Sequence, residues 1–234
     1  MQGLLLVNKP SGWTSFDVVN YVRKIVATVE DKKPKNCKVG HTGTLDPLAT
    51  GLLILLVGKE YTRRAGELTK QDKTYEVTMK LGFTSTTGDE EGEKVSVSDT
   101  VPSQKALQEA LEQLQGNIMQ VPPAFSAMKI NGQRAYKLAR EGKVVELEAR
   151  PATIYSNELT SYEYPLVKFT SKVSSGTYIR SLVEDLGKLL ETGAYMSDLC
   201  RTEIGSYSLD SAVEVEGLTQ SALQQALVSL QPQL

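Results

Sequence analysis

The sequence predicts an α+β fold, with a central, mixed but largely antiparallel sheet flanked by helices. Apolar runs of period two and period 3.6 follow one another in irregular order, without the steady βαβα rhythm of a parallel sheet. Long alternating stretches such as "ARPATIYSNELTSYEY" and "LVKFTSKVSS" are direct neighbours and read as paired strands. An Asn-Gly step at Asn131-Gly132 adds a hairpin signal. The 234 residues suffice for one large domain or two small ones, with a core that needs no staples.

In chain order, "GLLLVNK" is a first strand and "TSFDVVNYVRKIVATV" a helix, with Ser15 as N-cap and Val18, Val22, Ile25, Val26 and Val29 on one face. After a polar loop, "LLILLVG" is a buried strand and "KTYEVTMKLGF" an alternating one. The acidic, turn-rich "TSTTGDEEGEK" precedes a helix over "SQKALQEALEQLQG", capped by Ser103 and stopped at Gly116. "VPPAFSAMKINGQ" carries adjacent prolines and the hairpin step, and "RAYKLAREGK" is a short basic helix. Beyond the paired strands come a helix over "TYIRSLVEDLGKLLETG", a strand region over "AYMSDLCRTEIGSYSL" and a final amphipathic helix. That last helix presents Leu218, Ala222, Leu223, Ala226, Leu227 and Leu230.

Composition narrows the chemistry. A chain with one histidine, His41, cannot assemble a metal centre that needs two. No G-x-S-x-G elbow accompanies His41, which disfavours a serine hydrolase triad. Cys37 and Cys200 stand apart without C-x-x-C spacing, as in a reducing compartment. The opening "MQGLLLVNKPSGW" lacks a basic n-region, and no stretch reaches the length of a membrane span, so the expected address is cytoplasmic. A net charge of −2 gives no global sign of a nucleic-acid partner. Its distribution is more telling: Lys129, Arg134, Lys137, Arg140 and Lys143 face a single acid, Glu141, whereas no base follows Arg201. The basic run reads either as a solvated helix face or as a local anion-binding patch.

The most distinctive string is "GHTGTLDPLATGLL", residues 40–53. Asp46 before Pro47 is a helix-start signature, in which the carboxylate caps exposed N–H groups. A carboxylate held by such donors also stays ionised and oriented, as a nucleophile must. The two readings are compatible.

Taken whole, "VGHTGTLDPLATGLLILLVG" closely resembles the signature of the TruB-type tRNA pseudouridine synthases. Further strings resemble that family in the same order: "GLLLVNKPSGWTSFDVV", "DKTYEVTMKLGFTSTTGDEEG", "VPPAFSAMKINGQRAYKLAREG", "SSGTYIRSLVEDLG" and "LCRTEIGSY". The resemblance implies a catalytic domain over about residues 1–210, with an RNA-clamping insertion at about 120–150. Residues 211–234 are expected to form a C-terminal amphipathic helix, and in a departure from the bacterial members of the family, which usually continue into a PUA-type domain, none is expected here. The resemblance implies isomerisation of uridine 55 in the T-loop of tRNA: the N1–C1′ bond breaks, the base turns over and a C5–C1′ bond forms. No metal or cofactor is implied, and the expected partner is the T-arm stem-loop, bound by a monomer.

By the same resemblance Asp46 is the nucleophile, with attack at C6, attack at C1′ and assisted elimination all open. Arg180 in "GTYIRS" pairs with that aspartate, Tyr75 in "KTYEV" stacks on the target base and helps move its C5 proton, and Asp89 lies near the arginine. His41 enters the T-loop stack when the uridine is flipped out. Lys129, Arg134, Lys137 and Arg140 contact phosphates, which positions the RNA without reading sequence. Each residue has a plainer alternative: an ordinary ion pair for Arg180, a core aromatic for Tyr75, a solvated turn for Asp89, helix packing for Tyr178 instead of lining the pocket, and a surface or capping role for His41. Two functional alternatives stand beside the enzyme: an RNA-binding tRNA-folding chaperone with secondary isomerase activity, and a generic α+β protein whose Asp46 string is only a capped turn.

Overall fold

A computed structural model describes residues 1–126, 128–130, 132–143, 145 and 147–229, leaving aside the side chains of Lys129 and Ile130. The chain begins with β1 (Gly3–Lys9), α1 (Ser15–Val29), β2 (Val39–His41), β3 (Thr50–Val57), α2 (Lys59–Arg63), α3 (Ala65–Thr69) and β4 (Lys73–Leu81). It continues through β5 (Phe83–Ser85), β6 (Lys94–Ser96), α4 (Gln104–Gln113), β7 (Gly116–Gln120), β8 (Lys129–Ile130), β9 (Gln133–Arg134) and α5 (Ala135–Arg140). The last elements are β10 (Arg150–Glu163), β11 (Leu166–Val173), α6 (Ile179–Leu189), β12 (Ala194–Ile204), β13 (Tyr207–Ser208), β14 (Val213–Glu214) and α7 (Gln220–Ala226). Most of the strands form a mixed sheet flanked by helices, with β5–β6 and β8–β9 as separate two-stranded ribbons, the α+β class expected. Two compact units result, Met1–Tyr75 with Leu199–Leu234 and Glu76–Asp198, their boundaries falling inside β4 and β12. No described helix is long and apolar enough to cross a membrane.

In the first unit β3 is the hub. It pairs antiparallel with β1 and β2 and parallel with β12, while β14 adds to β1 in parallel. Leu53, Leu55 and Val57 pack with Leu5 and Val7 against Val18, Val22 and Val26 of α1 and Leu223 of α7. The alternate residues Leu52, Ile54 and Leu56 pack with Leu4, Leu6, Leu68 and Ile204 on the other face. A strand covered on both faces has no polar side to show, which is why "LLILLV" reads as an unbroken apolar run.

Two local expectations are corrected here. Thr14, not Ser15, caps α1: it forms a capping box with Asp17. The last helix is also shorter than its pattern suggests. Thr219 caps it, and it ends at Ala226 because Val228 pairs with Leu4, through N–H to carbonyl bonds of 2.8 and 2.9 Å in both directions. Within 211–234 the stretch before it contributes β14 rather than helix, and Leu230 lies outside the described residues.

In the second unit β10 and β11 pair antiparallel over most of their length, and β7 pairs with β10. Ser103 caps α4, which buries Leu107, Ala110 and Leu111. Leu182, Val183 and Leu186 of α6 are buried, and Gly187 lets the helix approach the chain entering β12: a Cβ there would lie 2.3 Å from the Ala194 nitrogen. The hairpin β8–β9 pairs Lys129 with Arg134 and Ile130 with Gln133, and Asn131 of the expected Asn-Gly turn lies outside the described residues. The acidic loop "TSTTGDEEGEK" is closed by the β5–β6 ribbon.

Candidate active site

Asp46 sits on a turn, not at a helix start. Its carbonyl accepts the Ala49 N–H at 3.1 Å, which closes a four-residue turn with Pro47 in the position proline favours. Sheet pairing resumes at Thr50, so the chain leaves no room for the helix that the Asp-Pro step suggested.

The turn is held chiefly by donors from the buried side chains of Lys9, Arg201 and Ser15. The Lys9 ammonium donates to the carbonyls of Pro47 at 3.1 Å, Trp13 at 2.6 Å and Pro10 at 2.8 Å. Arg201 donates through Nε to Leu52 at 2.8 Å and through Nη2 to Gly43 at 3.1 Å. The Ser15 hydroxyl exchanges bonds with both backbone groups of Leu45, while Ser11 Oγ bonds the Leu48 carbonyl and the Gly12 N–H reinforces Pro47. The carbonyls of Gly43, Leu45, Asp46, Pro47 and Leu48 are thus all engaged. A loop so pinned fixes the backbone from which the Asp46 carboxylate projects, a preorganisation that a nucleophile or electrostatic stabiliser needs.

Lys9 and Arg201, with the nearby Lys73, set the local charge. Lys9, Lys73 and Arg201 are 0%, 7% and 1% exposed. Burial pushes the Lys9 ammonium down to about 8, against the opposing pull of the Asp46 carboxylate and with the repulsion of Arg201 added. Burial and Arg201 also push Lys73, bonded to the carbonyls of Thr69 and Gln71, down to about 8. Buried cations cost folding energy unless counter-charged; the Asp46 carboxylate offsets part of that cost for Lys9, and the Asp72 carboxylate for Lys73. Tyr75 lies two residues beyond Lys73 on β4 and is buried, on the same face by strand alternation. His41 ends β2 and is half-buried.

In the second unit Arg180 and Asp89 come together. Both are buried, and Arg180 Nη1 lies 3.5 Å from Asp89 Oδ2. The guanidinium also donates to the carbonyls of Thr87 at 3.2 Å and Phe125 at 2.7 Å. Asp89 Oδ1 accepts from the Thr87 hydroxyl and from the Glu91 N–H. Asp89 is therefore not a solvated turn residue. Tyr178 is half-buried at the N-cap of α6, two residues before Arg180.

The basic segment folds as expected at backbone level. Arg134 is the N-cap of α5, and Lys137 and Arg140 lie along that helix; all three are exposed. The Arg140 guanidinium sits over the Tyr136 ring at 5.8 Å. The Ala135 and Tyr136 N–H groups bond the carbonyls of Met128 and Ser126, which folds α5 back onto its entry segment. The Lys129 side chain lies outside the described residues. Among the described residues, no three of His, Cys, Asp and Glu gather closely enough to hold a metal ion.

Sequence reasoning missed Lys9, Lys73 and Arg201. A signal existed for each: a charge at an inward-facing position of a strand, Lys9 at the end of "LLLVNK", Lys73 in register with Tyr75 and Val77, and Arg201 in register with Leu199. Gln120, whose amide bonds the backbone of Tyr178, carried no such signal.

Comparison with known proteins bears on this arrangement. The sequence profile of the TruB family pseudouridylate synthase N-terminal domain matches residues 31–179, and that of the tRNA pseudouridylate synthase B C-terminal domain matches residues 180–231. The chain is 43% identical to tRNA pseudouridine synthase B of Clostridium novyi, over 100% of this chain and 78% of the other. It is 44% identical to the protein of the same name from Pseudomonas aeruginosa, over 93% of this chain and 69% of the other. Among solved structures it is similar to a chain in the crystal structure of a Cbf5-Nop10-Gar1 complex, with a TM-score of 0.67 and 28% identity over 92% of this chain. It spans about half of that larger chain, 53%.

Proposed function

The chain belongs to the TruB family of pseudouridylate synthases, and on that premise we propose that it isomerises uridine 55 in the T-loop of tRNA to pseudouridine. The nucleophile is Asp46, acting on a uridine flipped out of the loop. What carries this reading is the Asp46 turn: its carbonyls are pinned by Lys9, Arg201 and Ser15, and its carboxylate interacts electrostatically with the buried Lys9 ammonium.

The reaction redistributes bonds within one nucleotide. The N1–C1′ bond breaks, the base rotates, C5 bonds to C1′, the C5 proton leaves and N1 gains a proton. Asp46 supplies the covalent or electrostatic partner for the separated fragments, and Arg180 is the cation of the same chemistry. Tyr75 stacks on the base and assists the C5 proton transfer. His41 fills the stack that the uridine leaves, with Tyr178 lining the pocket. The insertion at 120–150 clamps the RNA through Lys129, Arg134, Lys137 and Arg140. Catalysis resides in residues 1–210, and the protein acts as a monomer on the T-arm, in the cytoplasm.

Tritium release from tRNA carrying [5-³H]uridine tests the reading. Wild type releases tritium, Asp46→Ala does not, and neither does wild type on a transcript with cytidine at the target position. Release that survives Asp46→Ala overturns the assignment of the nucleophile; release from the cytidine transcript overturns the site. Equal turnover of an isolated T-arm hairpin and intact tRNA supports recognition through the T-arm, and failure on the hairpin removes it.

A further inference from the structure

Gln120 ends β7 and is 2% exposed. Its side-chain amide is committed to one backbone unit: Nε2 donates to the Tyr178 carbonyl at 3.0 Å, and Oε1 accepts the Tyr178 N–H at 2.8 Å. Tyr178 is in an extended conformation at the threshold of α6, with φ −103° and ψ 109°. A buried amide that pairs with both polar groups of an extended residue does what a neighbouring strand does: it fixes that residue's position and twist.

The ties continue along both segments. Ser181 Oγ donates to the Val121 carbonyl at 2.8 Å, and Arg180 Nη2 donates to the Phe125 carbonyl at 2.7 Å. The first turn of α6, with its arginine, is therefore laced to residues 120–125, where the chain leaves β7 for the basic segment. Gln120 is the innermost of these ties.

We propose that Gln120 is a positioning residue for the isomerisation, holding the backbone from which Tyr178 and Arg180 project and linking the seat of the insertion to that arginine. The inference rests on the reading of Arg180 as an active-site residue. Gln120 itself touches no reacting atom; it acts on where Arg180 stands when the transition state forms.

The substitution Gln120→Glu gives a readout that loss of packing does not. The ionised carboxylate accepts the Tyr178 N–H but meets the Tyr178 carbonyl with no proton to give; protonated, it restores the donor. Burial raises such a carboxyl, so the switch falls near neutral pH. The expected result is a kcat about 10- to 100-fold below wild type at about pH 8, recovering as pH falls to about 6, with KM for tRNA changed less than about threefold. Gln120→Ala lowers kcat by a similar factor with no recovery in acid. If Gln120→Ala does not fold, the pH profile of Gln120→Glu carries the test alone.

A Gln120→Glu profile that parallels wild type, or a loss confined to KM, overturns the inference. Arg180→Lys is measured alongside. Loss of turnover there with full turnover in the Gln120 variants removes only the positioning role, whereas full turnover in Arg180→Lys removes the reading of the site, and this inference with it.

Discussion

Lys9 and Pro47 are joined by a 3.1 Å hydrogen bond from a fully buried ammonium to the carbonyl that immediately follows Asp46. The bond couples the end of the first strand to the turn that bears the carboxylate. It makes a lysine that touches no reacting atom part of the geometry of the site. Replacing it with Met keeps the volume but leaves the Pro10 and Trp13 carbonyls without the ammonium and Pro47 with the Gly12 N–H alone, at about 1–3 kcal/mol for each carbonyl left unpaired before relaxation. Lys9→Met is expected to lower kcat for tRNA by about tenfold or more while the protein still folds, as read by tritium release and circular dichroism. Undiminished turnover in the folded variant removes the coupling.

The same lysine predicts a pH dependence of stability. Lys9 and Lys73 are both pushed down to about 8 from 10.5 in the folded chain, chiefly by burial. Between those values the unfolded chain binds more protons than the folded one, so stability rises with pH across that window. Below about pH 8 each lysine is charged in both states, and the cost of burying it is fully present. Each contributes up to about 3 kcal/mol to the rise, by the linkage of 1.36 kcal/mol per unit. Urea unfolding from about pH 7.5 to about pH 10 is expected to show the rise in wild type and a smaller one in Lys9→Met and in Lys73→Met; slopes identical to wild type refute it.

Gly51 has no room for a side chain. Its φ is +98°, and a Cβ would lie 2.3 Å from the Arg201 carbonyl oxygen and 2.7 Å from the Arg201 nitrogen, both backbone atoms of the paired strand. Neither can yield without separating β3 from β12, the pairing that brings Arg201 to the Asp46 turn. Gly51→Ala is expected to cost about 3 kcal/mol or more, a fall of about 6–12 °C in melting temperature, and to abolish turnover with it. A variant that melts with wild type would place the strands further apart than found here.

Asp46→Asn separates chemistry from binding. The side chain keeps its size, and a half-buried charge facing Lys9 contributes about 1 kcal/mol, so the melting temperature moves by no more than about 4 °C. Tritium release is expected to fall by about 10³-fold or more, while affinity for unmodified tRNA stays within about threefold. If tRNA-folding assistance persists in this variant, the chaperone reading gains a separate footing; if affinity collapses, Asp46 is a binding residue and not a nucleophile.

How far the sequence reveals this molecule depends on how far apart the partners are. The buried β3, the alternating β4 and the capped α4 follow from patterns within ten residues, and all are found. Thr14 and Ser15 are adjacent and both suit an N-cap; the choice falls to Thr14 because Ser15 turns inward to Leu45, thirty positions away. Asp-Pro serves a helix start and a β-turn equally well, and only the pairing that resumes at Thr50 selects the turn. Lys9 and Arg201 stand out as charges at inward strand positions, but their acceptors at Pro47 and Gly43 do not. Arg201 lies 158 positions from Gly43, and Gln120 lies 58 from Tyr178. Periodicity has no memory over such distances.

The basic segment supplies the last prediction, because its cations differ in kind from those around the Asp46 turn. Lys9, Lys73 and Arg201 are buried and hold backbone, whereas Arg134, Lys137 and Arg140 are exposed on and just before α5, with Arg140 over the Tyr136 ring of the same helix. Exposed cations that meet phosphates act by releasing counterions, so their contribution scales with salt and is blind to base identity. Each of Arg134→Gln, Lys137→Gln and Arg140→Gln is expected to flatten the slope of log K against log salt by about 1 for tRNA. The loss of affinity should be equal for the natural transcript and for one with cytidine at the target position. The melting temperature should hold within about 2 °C, because surface charges of this kind contribute little to stability. An unchanged salt slope in the triple variant would show that α5 presents a solvated face and that the RNA is held elsewhere.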